Sequence, residues 1–345
     1  MAIKIFCTGV TGYIAGDALF AISSKHPEFE YTALVRTEEK AAKVRDAYPA
    51  VRLVLGDLEN FEVLKQEASK ADIVLHAADA SDHEGAARAI ACGLIEGHSK
   101  DRPGYWLHTG GAGILTWEDA EKDKLGEFST KEYNDWDGVT ELTSLPDTAF
   151  HRNVDKVVLE IGSVYSDIVK TAIVCPPTIY GKGRGPVSSR SRQVYELTKL
   201  ILTAQYIPVV GSGKARWNNV HVHDLSELYL LLVEAAASKQ SHPELWGARG
   251  YYLAENGEHN WTELAEKIAQ ESHRLGYVDI LQKRDLSKDA ALKQAGFEAV
   301  SWGLNSRGKA IRARKMLHWN PSCPSIEQET PNIINDEYSR LARAE

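Results

Sequence analysis

The sequence predicts an α/β fold, a doubly wound parallel sheet with a smaller, mostly helical C-terminal domain. Three observations carry this. Short apolar runs alternate with helical patterns through the first half of the chain, as βαβ units require. The first run, Ile3-Lys4-Ile5-Phe6-Cys7, enters a glycine-rich turn, Thr8-Gly9-Val10-Thr11-Gly12-Tyr13-Ile14-Ala15-Gly16. Beyond about Trp261 the alternation gives way to charged segments with helical character.

Taken in order, Ile3–Thr8 is the first strand and Gly12–Ser24 the helix after it. Tyr31–Val35 is the second strand, followed by a charged helix over Glu38–Ala47. Val51–Leu55 is the third, ending in Gly56-Asp57-Leu58, with a helix over Phe61–Ala68. Asp72–Ala77 is the fourth strand, Glu84–Gly97 a helix and Tyr105–Thr109 the fifth strand. Trp117–Thr143 is acidic and lacks a sustained period, so it reads as a long loop with short helical pieces. Pro146-Asp147 starts a helix with Asp147 as N-cap, and Val154, Val157, Val158 and Ile161 form its buried stripe. Lys170–Cys175 is the sixth strand. Lys182–Arg192 is an exposed loop, Gln193–Ala204 a helix, Ile207–Val210 a strand, and Val220–Val222 leads into a helix over Leu225–Ser238. The domains are therefore 1–181 with 218–256, and 182–217 with 257–345.

Composition narrows the function. A chain of 345 residues that is 43% apolar can bury a large core. Its net charge of −8 argues against nucleic acid as a partner. The apolar stretch Leu228–Val233 is too short to span a bilayer. Met1-Ala2 leads directly into the first strand, without signal-peptide character. Cys7, Cys92, Cys175 and Cys323 lie far apart, which fits reduced structural thiols. The expectation is a cytoplasmic protein that acts on a small molecule.

A strand entering a glycine turn and then a helix is a pyrophosphate cradle: glycines admit the phosphate close to the backbone, and the helix N-terminus offers free N–H groups. The spacing here is Gly-x-x-Gly-x-x-Ala-Gly. The second strand ends in Val35-Arg36-Thr37, where an acid would bind the ribose hydroxyls of NAD. Arg36 instead offers a fork to a 2′-phosphate, and Lys40 a second cation, which favours NADP(H) over NAD(H). Asp57 and Leu58 follow the third strand at the adenine edge. His76-Ala77-Ala78 closes the fourth strand with small residues.

Together these features resemble the extended short-chain dehydrogenase/reductase family, which includes nucleotide-sugar epimerases and plant-type carbonyl reductases. The resemblance rests on Thr8-Gly9-x-x-Gly12, Gly56-Asp57-Leu58, His76-x-Ala78, Pro176-Pro177-Thr178-Ile179-Tyr180-Gly181 and Val220-His221-Val222-x-Asp224-Leu225, and covers about Ile3 to Glu255. It implies a Rossmann domain whose cofactor contacts are Gly9, Thr11, Gly12, Tyr13, Ile14, Arg36, Lys40, Asp57, Leu58, Ala77, Ala78, Lys156, Pro176, Thr178 and Ile179. A homodimer is implied by the resemblance alone.

The family couples hydride transfer to proton transfer by a Tyr, with a Lys four residues on and a Ser or Thr that orients the substrate oxygen. Here Lys156 stands in register, but Arg152 occupies the Tyr position, and a guanidinium does not exchange its proton near neutral pH. His151, Tyr180 and Tyr133 are possible substitutes. Thr109 ends the fifth strand as the oxygen-binding hydroxyl, ahead of an open Gly110-Gly111-Ala112-Gly113 floor. Arg152 is a candidate for orienting an acidic or carbonyl substrate. Trp217 stands where nucleotide-sugar enzymes of the family place an Arg, and with Trp117 and Trp136 it suggests a more apolar substrate. The basic run Arg307–Lys315 reads as a solvated helix face. The leading expectation is an NADP(H)-dependent reductase of a small carbonyl compound with a non-standard proton donor. The alternatives are a non-catalytic NADP-binding regulator or redox sensor, and a nucleotide-sugar epimerase or dehydratase.

Overall fold

The computed structural model describes residues 2–343. A seven-stranded, all-parallel sheet runs in the order Tyr251–Leu253, Val169–Cys175, Gly104–Thr109, Ile73–His76, Lys4–Thr8, Glu30–Val35, Arg52–Leu55. Order reverses beside the first strand, so the carboxyl ends of the Lys4–Thr8, Glu30–Val35 and Ile73–His76 strands open a crevice there. Helices Phe61–Lys70, Glu84–Gly97 and Arg152–Val164 pack together as one layer, and Tyr13–Lys25 packs with Val222–Ala237 in the other. The inner strands are buried nearly throughout (Gly104–Thr109 along its whole length), as expected when helices cover both faces.

Two apolar cores form. The larger fills the sheet layers; the second gathers Tyr195, Leu197, Trp217, Trp261, Ile268, Trp302 and Ile334. The basic run is not a solvated face. Arg312 is fully buried, bonded to the Asp135 carbonyl oxygen and the Glu244 carboxylate, while Arg307 pairs with Glu258 and Arg314 with Glu255. Ala310, Ala313, Leu317 and Trp319 return to the larger core, so a stretch near the C-terminus braces the sheet. A short strand, Lys283–Leu286, also interrupts the helical C-terminal region by pairing with Ile207–Val210.

Two boundaries near the site differ from expectation. The helix expected at Asp147 begins at Arg152, because residues 147–151 form turns and His151 adopts left-handed backbone (φ 68°) as its N-cap. The strand expected at Val220 already starts at Arg216, and its helix begins at Val222.

One buried carboxylate ties the layers together. Asp17, on the first helix, is fully buried and accepts hydrogen bonds from the Arg184 backbone N–H (2.7 Å), from Arg184 Nε (3.0 Å) and Nη2 (2.6 Å), and from Ser226 Oγ (2.6 Å). Burial alone would raise its pKa, but these donors hold it below the ordinary value. Gly16 and Gly185 meet beside it; a Cβ on Gly185 would lie 2.9 Å from the Gly16 Cα. Asp17→Asn is expected to cost about 2 kcal/mol at pH 7, less than a fully buried pair because Arg184 is partly solvated. Since the folded pKa is depressed, that difference should vanish as pH falls below the ordinary carboxylate range. Thermal unfolding of both proteins across pH 3–7 checks it.

Candidate active site

The crevice at the carboxyl ends of the strands is a cleft of about 660 Å³, lined by Gly9, Thr11, Gly12, Leu34, Arg36, Lys40, Asp57, Leu58, Glu59, Ala77, Ala78, Asp79 and His83. Gly9 has φ +85°, and a Cβ there would lie 2.8 Å from the Ala78 nitrogen, so no side chain fits. The Gly12 N–H donates to the Gly9 carbonyl (2.7 Å), which closes the turn. Thr8 Oγ1 accepts from the Ala77 and Ala78 N–H groups (3.2 and 3.3 Å), which pins the turn to the fourth strand. Gly12 caps the 13-residue helix Tyr13–Lys25 without a side-chain hydrogen bond. A cradle that a Cβ would fill, at an uncapped helix N-terminus, fits the pyrophosphate of a dinucleotide.

Nine of the residues expected to touch cofactor therefore line one cleft. Six others, Lys156 among them, lie outside that lining. Tyr13 donates from its hydroxyl to the Gly181 carbonyl (2.6 Å), while Ile14 and Ile179 pack on the core. Pro176 and Thr178 are buried, and the Pro176 carbonyl accepts from the Ala112 N–H. The cleft also contains Glu59, Asp79 and His83, which sequence reasoning passed over; His83 Nε2 lies 3.0 Å from Glu59 Oε1.

The expected catalytic residues separate. Thr109, 5% exposed, is hydrogen-bonded to the Tyr229 hydroxyl (2.6 Å). Lys156 turns outward, with Nζ 2.9 and 3.0 Å from the two carboxylate oxygens of Asp147, both side chains largely in solvent. Arg152 is buried; Nη2 donates to the Thr143 carbonyl (2.9 Å), while Nε and Nη1 lack a partner among the described residues. Tyr133 is buried and accepts from Trp117 Nε1, and Tyr180 donates to the Pro324 carbonyl (2.9 Å). Trp217 belongs to the second core, where Nε1 donates to the Leu304 carbonyl (2.7 Å), and Trp136 lies between Arg312 and Lys315.

His151 behaves differently. Its Nδ1 lies 2.7 Å from Asp82 Oδ1, and a Cβ on Gly111 or Gly113 would lie 3.0 or 3.2 Å from its Nε2. Because the left-handed turn places the helix start at Arg152, His151 and Asp155 face the Gly110–Gly113 floor, and the Arg152–Lys156 pair does not. Asp82 is held below the usual carboxylate range, chiefly by its hydrogen bond from His151. The link spans 69 residues of sequence, so no local pattern announces it.

Beneath His151 lies a buried polar cluster. Tyr251 donates to Asp155 Oδ2 (2.9 Å), and Asp155 Oδ1 is 4.0 Å from His108 Nε2. His76 and His108 pack with ring centroids 5.4 Å apart. Burial drives both imidazoles toward the neutral form, with the His76 pKa near 3, and drives the Asp155 carboxyl up to about 6. With a folded pKa above its unfolded value, Asp155 favours the fold fully below about pH 4, and that contribution is lost as pH rises through about 6. Asp155→Asn, which keeps an acceptor for Tyr251, should raise Tm by a few degrees at pH 7.5 and leave it unchanged at pH 4. Calorimetry at the two pH values checks this.

Comparison with known proteins agrees with this geometry. Residues 9–101 match the NAD(P)H-binding family profile, and residues 151–245 match the NAD dependent epimerase/dehydratase family. Oxidase ucsJ of Acremonium sp. is 37% identical, over 99% of both chains. Among solved structures, dTDP-glucose 4,6-dehydratase of Streptomyces venezuelae aligns over 99% of this chain and 98% of its own, at 16% identity with a TM-score of 0.67. UDP-glucose 4-epimerase of Thermotoga maritima aligns over 98% of this chain and 100% of its own, at 13% identity and a TM-score of 0.65. The chain belongs to the NAD dependent epimerase/dehydratase family.

Proposed function

We propose that this protein is an NADP(H)-dependent oxidoreductase that interconverts a carbonyl and an alcohol on a small organic molecule, with a proton donor other than the family's Tyr. The observation that carries the cofactor preference is the pair Arg36 and Lys40. Both line the cleft at the end of the second strand, and among the described residues neither forms an ion pair. An unpaired guanidinium and ammonium where an acid would serve a ribose hydroxyl suit a 2′-phosphate.

Gly9, Thr11 and Gly12 would hold the pyrophosphate, Arg36 and Lys40 the 2′-phosphate, and Asp57 with Leu58 the adenine edge. Ala77 and Ala78 leave room for backbone to pass close. When bound, the nicotinamide supplies or accepts the hydride. The chain's own part is to orient the reacting oxygen at the Gly110–Gly113 floor and to move its proton. The relative named an oxidase supports redox chemistry over epimerisation. Trp217, where the family's nucleotide-sugar enzymes carry an Arg, is buried in the second core and weighs the same way.

Titration of the protein with NADPH and NADH, followed by ligand fluorescence, tests the reading. NADPH should bind more tightly. Arg36→Ala should weaken NADPH about ten- to hundred-fold, the worth of a charge-assisted hydrogen bond, and leave NADH within about two-fold. Equal affinities for the two cofactors in the unaltered protein would remove the NADP assignment.

A further inference from the structure

We propose that His151, held by Asp82, is the acid–base of this site; the inference rests on the oxidoreductase reading above and names the group that stands in for the absent Tyr.

Geometry carries it. Asp82 lies on the loop that follows the fourth strand, three residues beyond Asp79 on the cofactor cleft wall. Its carboxylate takes the Nδ1 side of His151 at 2.7 Å, which fixes the tautomer and leaves Nε2 as the exchanging nitrogen. Nε2 lies against the Gly111 and Gly113 backbone, where a Cβ on either would stand only 3.0 or 3.2 Å away, and no described residue bonds it. Of the candidate groups, Thr109, Tyr133 and Tyr180 are committed to buried hydrogen bonds, Lys156 is paired with Asp147 at the surface, and Arg152 does not release a proton.

Two further observations single out His151. Its backbone is left-handed, a conformation disfavoured for a residue with a Cβ and enriched at functional positions. Its side chain is only 9% exposed, because the Phe150 ring lies over it with centroids 3.8 Å apart. Phe297 of the second core's helix Lys288–Ser301 covers Phe150 in turn, at 4.8 Å. That helix breaks at Ala295 and Gly296, which brings Phe297 to the first domain and lets Glu298 pair with Arg192 (2.6 Å). The imidazole therefore has a carboxylate on one nitrogen, side-chain-free glycine backbone at the other, and an aromatic ring over its face.

In the reducing direction, the carbonyl carbon receives a hydride from the reduced nicotinamide, the π electrons move to oxygen, and that oxygen takes the proton from imidazolium Nε2. The products are the alcohol, the oxidised cofactor and a neutral His151 that keeps Nδ1–H on Asp82 until solvent returns the proton. In the oxidising direction, neutral Nε2 takes the hydroxyl proton. The charged and titratable groups that face the pair are Asp82 itself, Asp155 one turn along the helix, Arg152 beside it, His108 beneath and Arg192 toward Asp82.

The test uses the full chain with NADPH and a fixed panel of aldehydes and ketones that includes benzaldehyde, with consumption of NADPH followed from pH 5 to 9. His151→Gln should slow turnover by at least about a hundred-fold, the usual contribution of a general acid, with NADPH affinity unchanged within about two-fold. Asp82→Asn should slow it about ten-fold with NADPH affinity unchanged within about two-fold, while Asp82→Glu should restore most of the rate. Unchanged turnover in His151→Gln, or in Asp82→Asn, overturns the proposal. So does a wild-type protein that binds NADPH yet consumes it with no member of the panel. Failure to bind NADPH is a different result, which overturns the cofactor reading instead.

Discussion

The left-handed turn at His151 decides which side chains the central helix presents to the Gly110–Gly113 floor. A helix begun at Asp147 would run through His151 without a break. Instead the chain reverses at residues 147–151, and the His151 carbonyl accepts from the Val154 and Asp155 N–H groups to start the helix one residue later. The face toward the Gly110–Gly113 floor then carries His151 and Asp155, spaced four apart like the Tyr and Lys of the family pattern but one position earlier in sequence. Arg152 goes inward beneath Thr143, and Lys156 goes out to Asp147. One backbone conformation thus replaces a Tyr/Lys face with a His/Asp face.

Such a site has to be held rigidly, and buried charge does much of the holding. Asp17 fixes the Lys182–Arg192 loop against the first helix, and Asp135 accepts from the Leu253, Ile311 and Arg312 N–H groups, which anchors the C-terminal brace to the edge strand. Burial drives the Asp135 carboxyl up to about 6 despite those three donors. Each link crosses long stretches of sequence, so none adds local strain to a helix or strand. Their cost is desolvation, which is offset only because every carboxylate is met by several donors. Asp155 is the exception: Tyr251 meets one oxygen and nothing among the described residues meets the other.

Much of the fold was legible because its signals are local. Strand runs, the glycine turn and the alternation of periods sit within windows of a few residues, and the helices Glu38–Ala47, Glu84–Gly97 and Gln193–Ala204 begin and end where those patterns predict. The cleft was legible for the same reason: Gly9, Arg36, Asp57 and Ala77 each end a strand, and a parallel sheet places strand ends side by side. The acid–base side was not. Whether His151 or Arg152 faces the floor depends on a single φ angle, which propensity does not determine, and on Asp82, a partner 69 residues away. The basic run Arg307–Lys315 misled in the opposite sense. Its charges look solvated until Glu132, Glu244, Glu255 and Glu258 arrive from distant segments to neutralise them.

The distribution of unpaired polar groups shows where stability has been given up. His76, His108, Arg152 and Asp155 all carry buried atoms without a hydrogen-bond partner among the described residues, and they lie around or beneath the His151 face. Each such atom carries a desolvation cost of roughly 1–3 kcal/mol. The buried charges of Asp17 and Arg312, by contrast, are each met by several partners. Unpartnered buried atoms occur elsewhere too, at Arg216, His259 and Trp302 among others, but beneath His151 the His76 and His108 imidazoles and the Asp155 carboxylate carry them in one packed titratable cluster, the kind of grouping that functional sites favour.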